Sequence, residues 1–451
     1  MERTKLIQAR TRKHWTQKEA AGHLGVSVRA YSEWERGEAM PRASSMQLLC
    51  DTFRLTSEEL DFDVKSDSSV AYSHKNISAF ITCDLSSCLL TLAFTAPQAY
   101  GEVQAKVSSI LEEFDAMNID PMTRREALKR LAALSVMSFP ASLFDVRQSP
   151  EATLTQCAAS IAACQELGRG KEASDLALAF EGAAAAIQRL LPLIRDSSRH
   201  RKASVILAAQ AARLQQVLAG HLESPEAAIR HAQQAVLYGK ESGDIQEYLM
   251  TLEALAWSYE AAPRYSKQAL QTMEQAAVIL QEQRTQVPLY IHGQIYSTLA
   301  VMQAKNGQSS DTALRLAEKN AFVDQRYALF IDDPTYTLTI NEAEVFSHHG
   351  NYNNALDALS QIVDSTTFSP KRSFSERGYI RTLSNMTLVS LKTKTKDLER
   401  STHLWRVTMQ RAKTLKSERR FDEMMFAYHL MDTLWGDDTR VKELRPLTTH
   451  W

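Results

Sequence analysis

The chain has 451 residues, and 52 Lys and Arg balance 53 Asp and Glu to give a net charge of −1. This balance excludes a protein that coats nucleic acid through overall positive charge, and the length exceeds that of one ordinary domain. Only 15 Gly and 12 Pro occur, which predicts long helices rather than turn-rich sheets, so we expect an all-α protein. The five cysteines are odd in number and include no Cys-x-x-Cys pair, so they indicate neither a disulfide framework nor a zinc site and fit a reducing cytoplasm.

Short helices are predicted at the start of the chain. Leu6–Lys13 has the pattern of a first helix, and Thr16-Gln17-Lys18-Glu19 is a capping box that begins a second helix, which continues through Leu24. Gly25-Val26-Ser27 is long enough for a turn into a third helix, Val28–Arg36. The order of these elements predicts a helix-turn-helix.

The third helix has two different faces. Tyr31 and Trp34 are three residues apart and share an apolar face. The opposite face carries Val28, Arg29, Ser32, Glu33 and Arg36. Ser27 is a suitable N-cap and Gly37 a suitable left-handed residue after the helix. We therefore expect a helix that packs through one face and contacts DNA through the other.

A fourth helix, Ser45–Phe53, and a fifth helix that begins with Thr56-Ser57-Glu58-Glu59 would complete a five-helix domain of residues 1–62, which we call the head. Residues 1–42 contain nine Lys and Arg against five Glu, a local charge of +4 around the predicted helix-turn-helix. Positive charge concentrated on a recognition element favours contact with phosphates.

The head resembles the lambda-repressor-like Cro/C1 (XRE) DNA-binding domains. The residues that carry the resemblance are Trp15-Thr16-Gln17-Lys18-Glu19-Ala20-Ala21, Leu24-Gly25-Val26-Ser27, Trp34-Glu35-Arg36-Gly37 and Pro41. The resemblance implies that Gln17 and Arg36 bind phosphates of double-stranded DNA, while Val28, Arg29, Ser32 and Glu33 face base edges. Glu33 has two interpretations, either an acceptor for cytosine N4 or a solvated residue at the edge of the interface.

Residues 63–121 are interpreted as a linker followed by a bridging helix, Gln98–Met117. Within this part Ile77–Ala96 is apolar, but Asp84 stands at its centre, where a charge is costly in a bilayer. We therefore expect a buried helix or a pair of short strands and no membrane span.

Residues 122–451 are predicted to form a helical-repeat domain. Small residues at the starts of successive second helices, Ala228, Ala269, Ala313 and Ala355, are 41, 44 and 42 residues apart. A period of this length is typical of stacked helix pairs, so we expect an α-solenoid.

The repeats resemble tetratricopeptide repeats, with Gly350-Asn351-Tyr352-Asn353-Asn354-Ala355-Leu356 as the best match. Such repeats form a concave surface suited to a peptide or a protein segment, although a solenoid that only dimerises the heads is an alternative. The order of head and repeats resembles cytoplasmic peptide-pheromone receptors that regulate transcription in Gram-positive bacteria. This resemblance implies ligand-binding polar residues on the first helices of the pairs, for which we select Tyr259, Gln294, Asn341, Arg381 and Asn385.

No catalytic motif is present. The chain has no His-Glu-x-x-His, Gly-x-Ser-x-Gly or Walker sequence, and the adjacent His348 and His349 point about 100° apart on a regular helix. We expect no catalytic residue, metal or cofactor. The sequence predicts a cytoplasmic, homodimeric transcriptional regulator that binds a palindromic operator and senses a peptide, small ligand or protein partner. The alternative is a non-enzymatic adaptor whose head binds protein.

Overall fold

The computed structural model describes residues 3–13, 15–24, 26–37, 41, 49, 52–53, 55, 60, 62, 121–133, 149–196, 199–320, 334–371 and 374–451. The chain divides into two compact units, Met1–Ser78 and Ala79–Trp451. The first contains the head and the second contains the repeat domain. The elements expected between residues 63 and 120 lie outside the described residues, as do most of the fourth and fifth helices expected in the head.

Three helices of the head are described: α1 Thr4–Arg12, α2 Gln17–His23 and α3 Val28–Glu35. The predicted capping box begins α2, because the Thr16 hydroxyl accepts from the Glu19 amide and the Glu19 carboxylate accepts from the Thr16 amide. These two bonds satisfy backbone donors that the first turn of a helix leaves unpaired. The predicted helix-turn-helix is therefore present.

The ends of α3 are fixed as the sequence predicts. Ser27 caps its first turn by accepting from the Ala30 amide, and Gly37 after its last turn adopts a φ of +71°. Tyr31 and Trp34 are buried in the core of the head. The other fully or largely buried apolar residues of this core are Leu6, Ala9, Ala20, Ala21, Leu24, Leu49, Phe53, Leu60 and Phe62.

The described part of the repeat domain is helical apart from one isolated bridge between Val363 and Pro370. Its helices are α4 Pro121–Ala133, α5 Pro150–Leu167, α6 Ala173–Arg195, α7 Arg201–Leu222, α8 Pro225–Ser242, α9 Ile245–Glu260, α10 Ser266–Glu282, α11 Leu289–Lys305, α12 Asp311–Lys319, α13 Pro334–His348, α14 Tyr352–Ile362, α15 Glu376–Ser390, α16 Leu398–Thr414, α17 Glu418–Trp435 and α18 Thr439–Lys442. Short 3₁₀ turns lie at Pro263–Tyr265, Arg284–Gln286 and Arg445–Thr448.

Consecutive helices pack as hairpins, and the predicted repeat is confirmed. The second helices α8, α10, α12 and α14 each carry one periodic alanine near the first turn, and all four alanines are at most 4% exposed. An alanine side chain allows two helices to approach closely. Because each second helix needs such a residue where it packs, the spacing of the alanines identifies the second helices. The protein is therefore all-α, with a helix-turn-helix head followed by helical repeats.

The first helices of the pairs form an inner row. Helices α7, α9, α11, α13, α15 and α17 contact one another in that order, and α17 also contacts α7. The His221 ring of α7 and Ser417 Oγ at the start of α17 are 2.7 Å apart, which joins the two ends of the row. The Arg377 guanidinium of α15 donates to the Gly168 carbonyl after α5 at 2.7 Å. Because Ile380, Ala412 and Leu415 also share a core with α5 to α7, the stack closes on itself.

Helix α6 is, among the described residues, the one helix long and apolar enough to cross a membrane by length and composition. In the structure its apolar side is part of the protein core. Leu176, Ala183 and Leu190 are fully buried in the same cluster as residues of α5 and α7. Packing within the repeat domain thus accounts for its composition.

Candidate DNA interface and a polar cavity

The face of α3 opposite the core is exposed. Val28 is 44% exposed, and Arg29 and Arg36 are exposed as well, whereas Ser32 and Glu33 are partly exposed. Because the core side of the helix is fixed by two aromatic residues, these five side chains have a defined direction. The geometry expected of a groove-binding helix is present, while the roles assigned to individual residues stay predictions.

Two contacts along this face connect the predicted DNA-binding residues. Arg29 Nε is 2.8 Å from Glu33 Oε1, in a pair whose arginine side chain is 89% exposed. Arg36 donates to Ser32 Oγ at 3.2 Å. Exposed ion pairs contribute little to stability, so Arg29 can leave Glu33 for a base or phosphate at small cost. Glu33 nevertheless places a negative charge on the surface that would face DNA.

Gln17 is held by a buried carboxylate. Its amide donates to Glu35 Oε2 at 2.6 Å, and Arg10 Nε lies 2.6 Å from Glu35 Oε1. Glu35 is only 2% exposed, and Arg10 also donates to the Trp15 carbonyl at 2.8 Å. This network fixes α1, α2 and the end of α3 relative to one another. Gln17, at the first turn of α2, therefore has a structural partner in addition to its predicted phosphate role.

Glu35 had no predicted role. Its position four residues after Tyr31 places both side chains on the same side of α3, and a carboxylate on a core face requires a partner. The partner is Arg10, 25 residues earlier in the chain. The spacing from Tyr31 to Glu35 indicated a carboxylate on the core face, but the residue that pairs with it depends on how α1 packs on α3.

The inner row of the repeat domain encloses a cavity of about 280 Å³. Polar residues from seven helices line it: Gln165 from α5, Gln216 from α7, Glu253 from α9, Gln294 from α11, Thr337 from α13, Arg381 from α15 and Arg420 from α17. The cavity lies where the two ends of the row meet. It therefore exists only because the stack closes.

Two of the five predicted ligand residues, Gln294 and Arg381, line this cavity. Asn341 is fully buried next to it, donates to Ser297 and accepts from Arg381 at 3.2 Å. Asn385 donates to Glu344, and Tyr259 accepts from the amide of Gln233. Asn341, Asn385 and Tyr259 are not among the residues that line the cavity, and their binding roles stay predictions.

The Glu253 carboxyl accepts from Trp257 Nε1 at 2.5 Å and from Thr298 Oγ1 at 3.2 Å. Burial raises its pKa, against the opposing effect of Arg213. Burial lowers the pKa of His221 well below its usual value, and the nearby Arg377 and Arg420 add to the decrease. In both cases burial shifts the equilibrium toward the neutral form.

Glu260 links α9 to α17, the last helix of the inner row. Its carboxylate lies 3.0 Å from Arg419 Nη2 and also pairs with Lys305. Although burial alone would raise the pKa of Glu260, Arg419 and Lys305 lower it to about 2. The carboxylate is thus held in its charged form between α9 and α17.

Among the described residues, no group of three or more His, Cys, Asp or Glu is arranged to hold a metal ion. His349 pairs with Ser310 Oγ at 3.0 Å. Cys157 and Cys164 are buried free thiols, and burial raises their pKa values to about 11 and about 12. Both thiols are therefore protonated at neutral pH.

Residues 6–60 match the family model described as Helix-turn-helix. The head is thus a helix-turn-helix domain, which confirms the class predicted from the capping box, the turn and α3. No curated protein matches the chain. A crystal structure of Bacillus thuringiensis PlcR in complex with the peptide PapR7 and DNA is similar at 12% identity and a TM-score of 0.32, over 73% of this chain and 97% of that one.

Proposed function

We propose that the protein is a sequence-specific DNA-binding transcriptional regulator whose repeat domain senses a ligand without catalysing a reaction. The observation that carries the proposal is the helix-turn-helix head, in which α3 buries Tyr31 and Trp34 and exposes Val28, Arg29 and Arg36. A helix fixed in this way can enter the major groove with its polar side toward the bases.

The proposed active form is a cytoplasmic homodimer on a palindromic operator. One small head buries a modest interface with DNA, and tight specific binding by such heads usually requires two half-sites about 34–36 Å apart. The repeats, which resemble tetratricopeptide repeats, are the part large enough to dimerise and to set this spacing. A ligand, whether peptide, small molecule or protein segment, would act by binding one arrangement of the repeats more tightly than another.

The proposal is tested by selecting bound sequences from random double-stranded DNA with the full-length protein. We expect enrichment of a short palindrome. Arg29→Ala should lower the affinity for the selected site roughly tenfold or more, with little effect on random DNA, because a base contact is lost. Arg36→Ala should weaken binding to both and reduce the salt slope by about one, because a phosphate contact is lost.

The second candidate is an adaptor whose head binds protein. Residues 1–62 contain ten Lys and Arg against nine Asp and Glu, and Glu33 partly neutralises Arg29 on the outward face of α3. A surface of low net charge with an exposed Val28 suits a protein partner as well as DNA. Absence of any enriched DNA sequence at low salt would favour the adaptor over the regulator.

A further inference from the structure

The cavity at the closure of the repeat domain contains polar groups that the protein leaves unpaired. Both side-chain amide atoms of Gln165, the oxygen of Gln216 and Nε of Arg420 have no hydrogen-bond partner among the described residues. The three side chains are 7%, 6% and 6% exposed, and all three line the cavity. They come from α5, α7 and α17, so three separate helices that line the cavity each carry a buried polar atom without a partner.

Such groups are costly. A buried polar group without a partner destabilises the folded protein, and native proteins contain few of them. Several at one cavity indicate a site that is completed by a bound molecule. Gln165 Nε2 and Arg420 Nε require acceptors, while Gln165 Oε1 and Gln216 Oε1 require donors. A complementary ligand therefore carries both an acceptor group and an N–H or O–H.

The charge around the cavity identifies the acceptor. Among the described residues, six arginines and one glutamate line it: Arg169, Arg213, Arg377, Arg381, Arg419, Arg420 and Glu253. The carboxylates that pair with four of these arginines, Glu247, Glu260, Glu344 and Glu423, are not among the lining residues. The residues that line the cavity therefore carry more positive than negative charge, which favours an anion.

The size of the cavity limits the ligand. A volume of about 280 Å³ lies at the lower end of the range for sites that bind small molecules. It accommodates a small acid or one end of a longer molecule, but not a folded protein segment. The geometry points to a compact group with a full negative charge.

We propose that this cavity binds a ligand bearing an oxyanion, a carboxylate or a phosphate, which accepts hydrogen bonds from Arg420 and Gln165 while an adjacent donor of the ligand contacts Gln216. The inference rests on the sensing role proposed for the repeat domain and specifies its ligand chemistry. Because the binding helices include the first and the last of the inner row, the ligand also stabilises the closure of the stack.

The test uses purified full-length protein without DNA, so its outcome is independent of whether the head binds DNA. Thermal unfolding and titration calorimetry are carried out with inorganic pyrophosphate, citrate, and trialanine with a free or an amidated carboxyl end. Sodium chloride at matched ionic strength is the control. We expect at least one oxyanion to raise the Tm of the repeat domain saturably. A response to pyrophosphate alone would identify the ligand group as a phosphate, and a response to citrate would identify a small carboxylic acid. A response to the free but not the amidated peptide would identify a terminal carboxylate.

Three variants and one control examine the site itself. Gln165→Leu and Gln216→Leu remove unpaired groups without deleting a protein hydrogen bond, so both should fold and bind the active probe at least tenfold more weakly. Gln303→Leu is the matched control, because Gln303 Oε1 is also unpaired among the described residues but does not line the cavity. Gly220→Val adds volume at the cavity wall, where a new Cβ would meet only Ala228 Cβ at 3.8 Å, and should also weaken binding.

The inference is overturned if no probe raises the Tm beyond the chloride control, or if Gln165→Leu and Gln216→Leu bind as tightly as Gln303→Leu. Loss of DNA selection with intact probe binding would instead count against the regulator and leave the cavity assignment standing.

Discussion

Replacing Glu35 by alanine should loosen the head without changing its surface. Glu35 is 2% exposed and accepts from Arg10 at 2.6 Å and 3.3 Å and from Gln17 at 2.6 Å. Removing one partner of a buried pair typically costs about 3–5 kcal/mol. Because the Arg10 side chain is 17% exposed and can be partly solvated, we expect the lower end of this range. For a domain of this size, with a total stability of about 3–9 kcal/mol, the loss is large.

Hydrogen–deuterium exchange of the full-length protein measures this effect locally. Amides of α1 to α3 should exchange about a hundredfold faster in Glu35→Ala, whereas peptides from the repeat domain should be unchanged and serve as an internal reference. Glu33→Ala is the matched control, since it removes a carboxylate from the same helix but from an exposed pair. Equal exchange in the two variants would show that the Arg10, Glu35 and Gln17 network does not stabilise the head.

Three further outcomes are expected. Glu33→Gln should raise affinity for all DNA sequences, most strongly at low salt, because it removes a negative charge from the outward face of α3; unchanged binding in gel shifts would place Glu33 outside the interface. Glu260 has a pKa of about 2, below its ordinary 4.5, so its contribution to stability is present above pH 4.5 and is lost as the pH falls toward 2. Over that pH interval the free energy of unfolding, measured with urea, should therefore decrease by up to about 3 kcal/mol more for the wild type than for Glu260→Gln. An equal pH dependence of the two proteins would contradict the lowered pKa of Glu260. Gly182→Ala should destabilise by about 1–3 kcal/mol, because its Cβ would lie 2.5 Å from Cys164 Sγ, while Gly220→Ala, with 3.8 Å of space, should not.

The head was predictable because its signals are local. A capping box, an N-cap serine, a glycine after α3 and two aromatic residues three apart each act within a few positions, and each is present as expected. The starts of the second helices were predictable for a similar reason, since small residues recur wherever two helices must approach closely. Local signals could not identify Arg10 as the partner of Glu35, because the two residues meet only when α1 packs on α3.

The cavity was not predictable from the sequence. Its geometry depends on contacts such as the bond from Arg377 to the Gly168 carbonyl, which joins residues 209 positions apart. The five ligand residues selected from the sequence lie on inner helices, as intended, but only Gln294 and Arg381 line the cavity. Gln165 and Gln216 look like ordinary surface residues of long helices, but both are buried in the closed stack.

The contact of α17 with α7 has a consequence for how such a protein can change in length. In an open solenoid each repeat depends only on its neighbours, so a repeat can be gained or lost with little effect elsewhere. Here two contacts hold the last inner helix, α17, at one position: the bond between His221 and Ser417 and the pair between Glu260 and Arg419. Insertion or deletion of a single hairpin would displace α17 by a whole repeat and break both contacts. Closure thus fixes the number of hairpins, and variation within this domain is restricted to the surface loops and the outward sides of its helices.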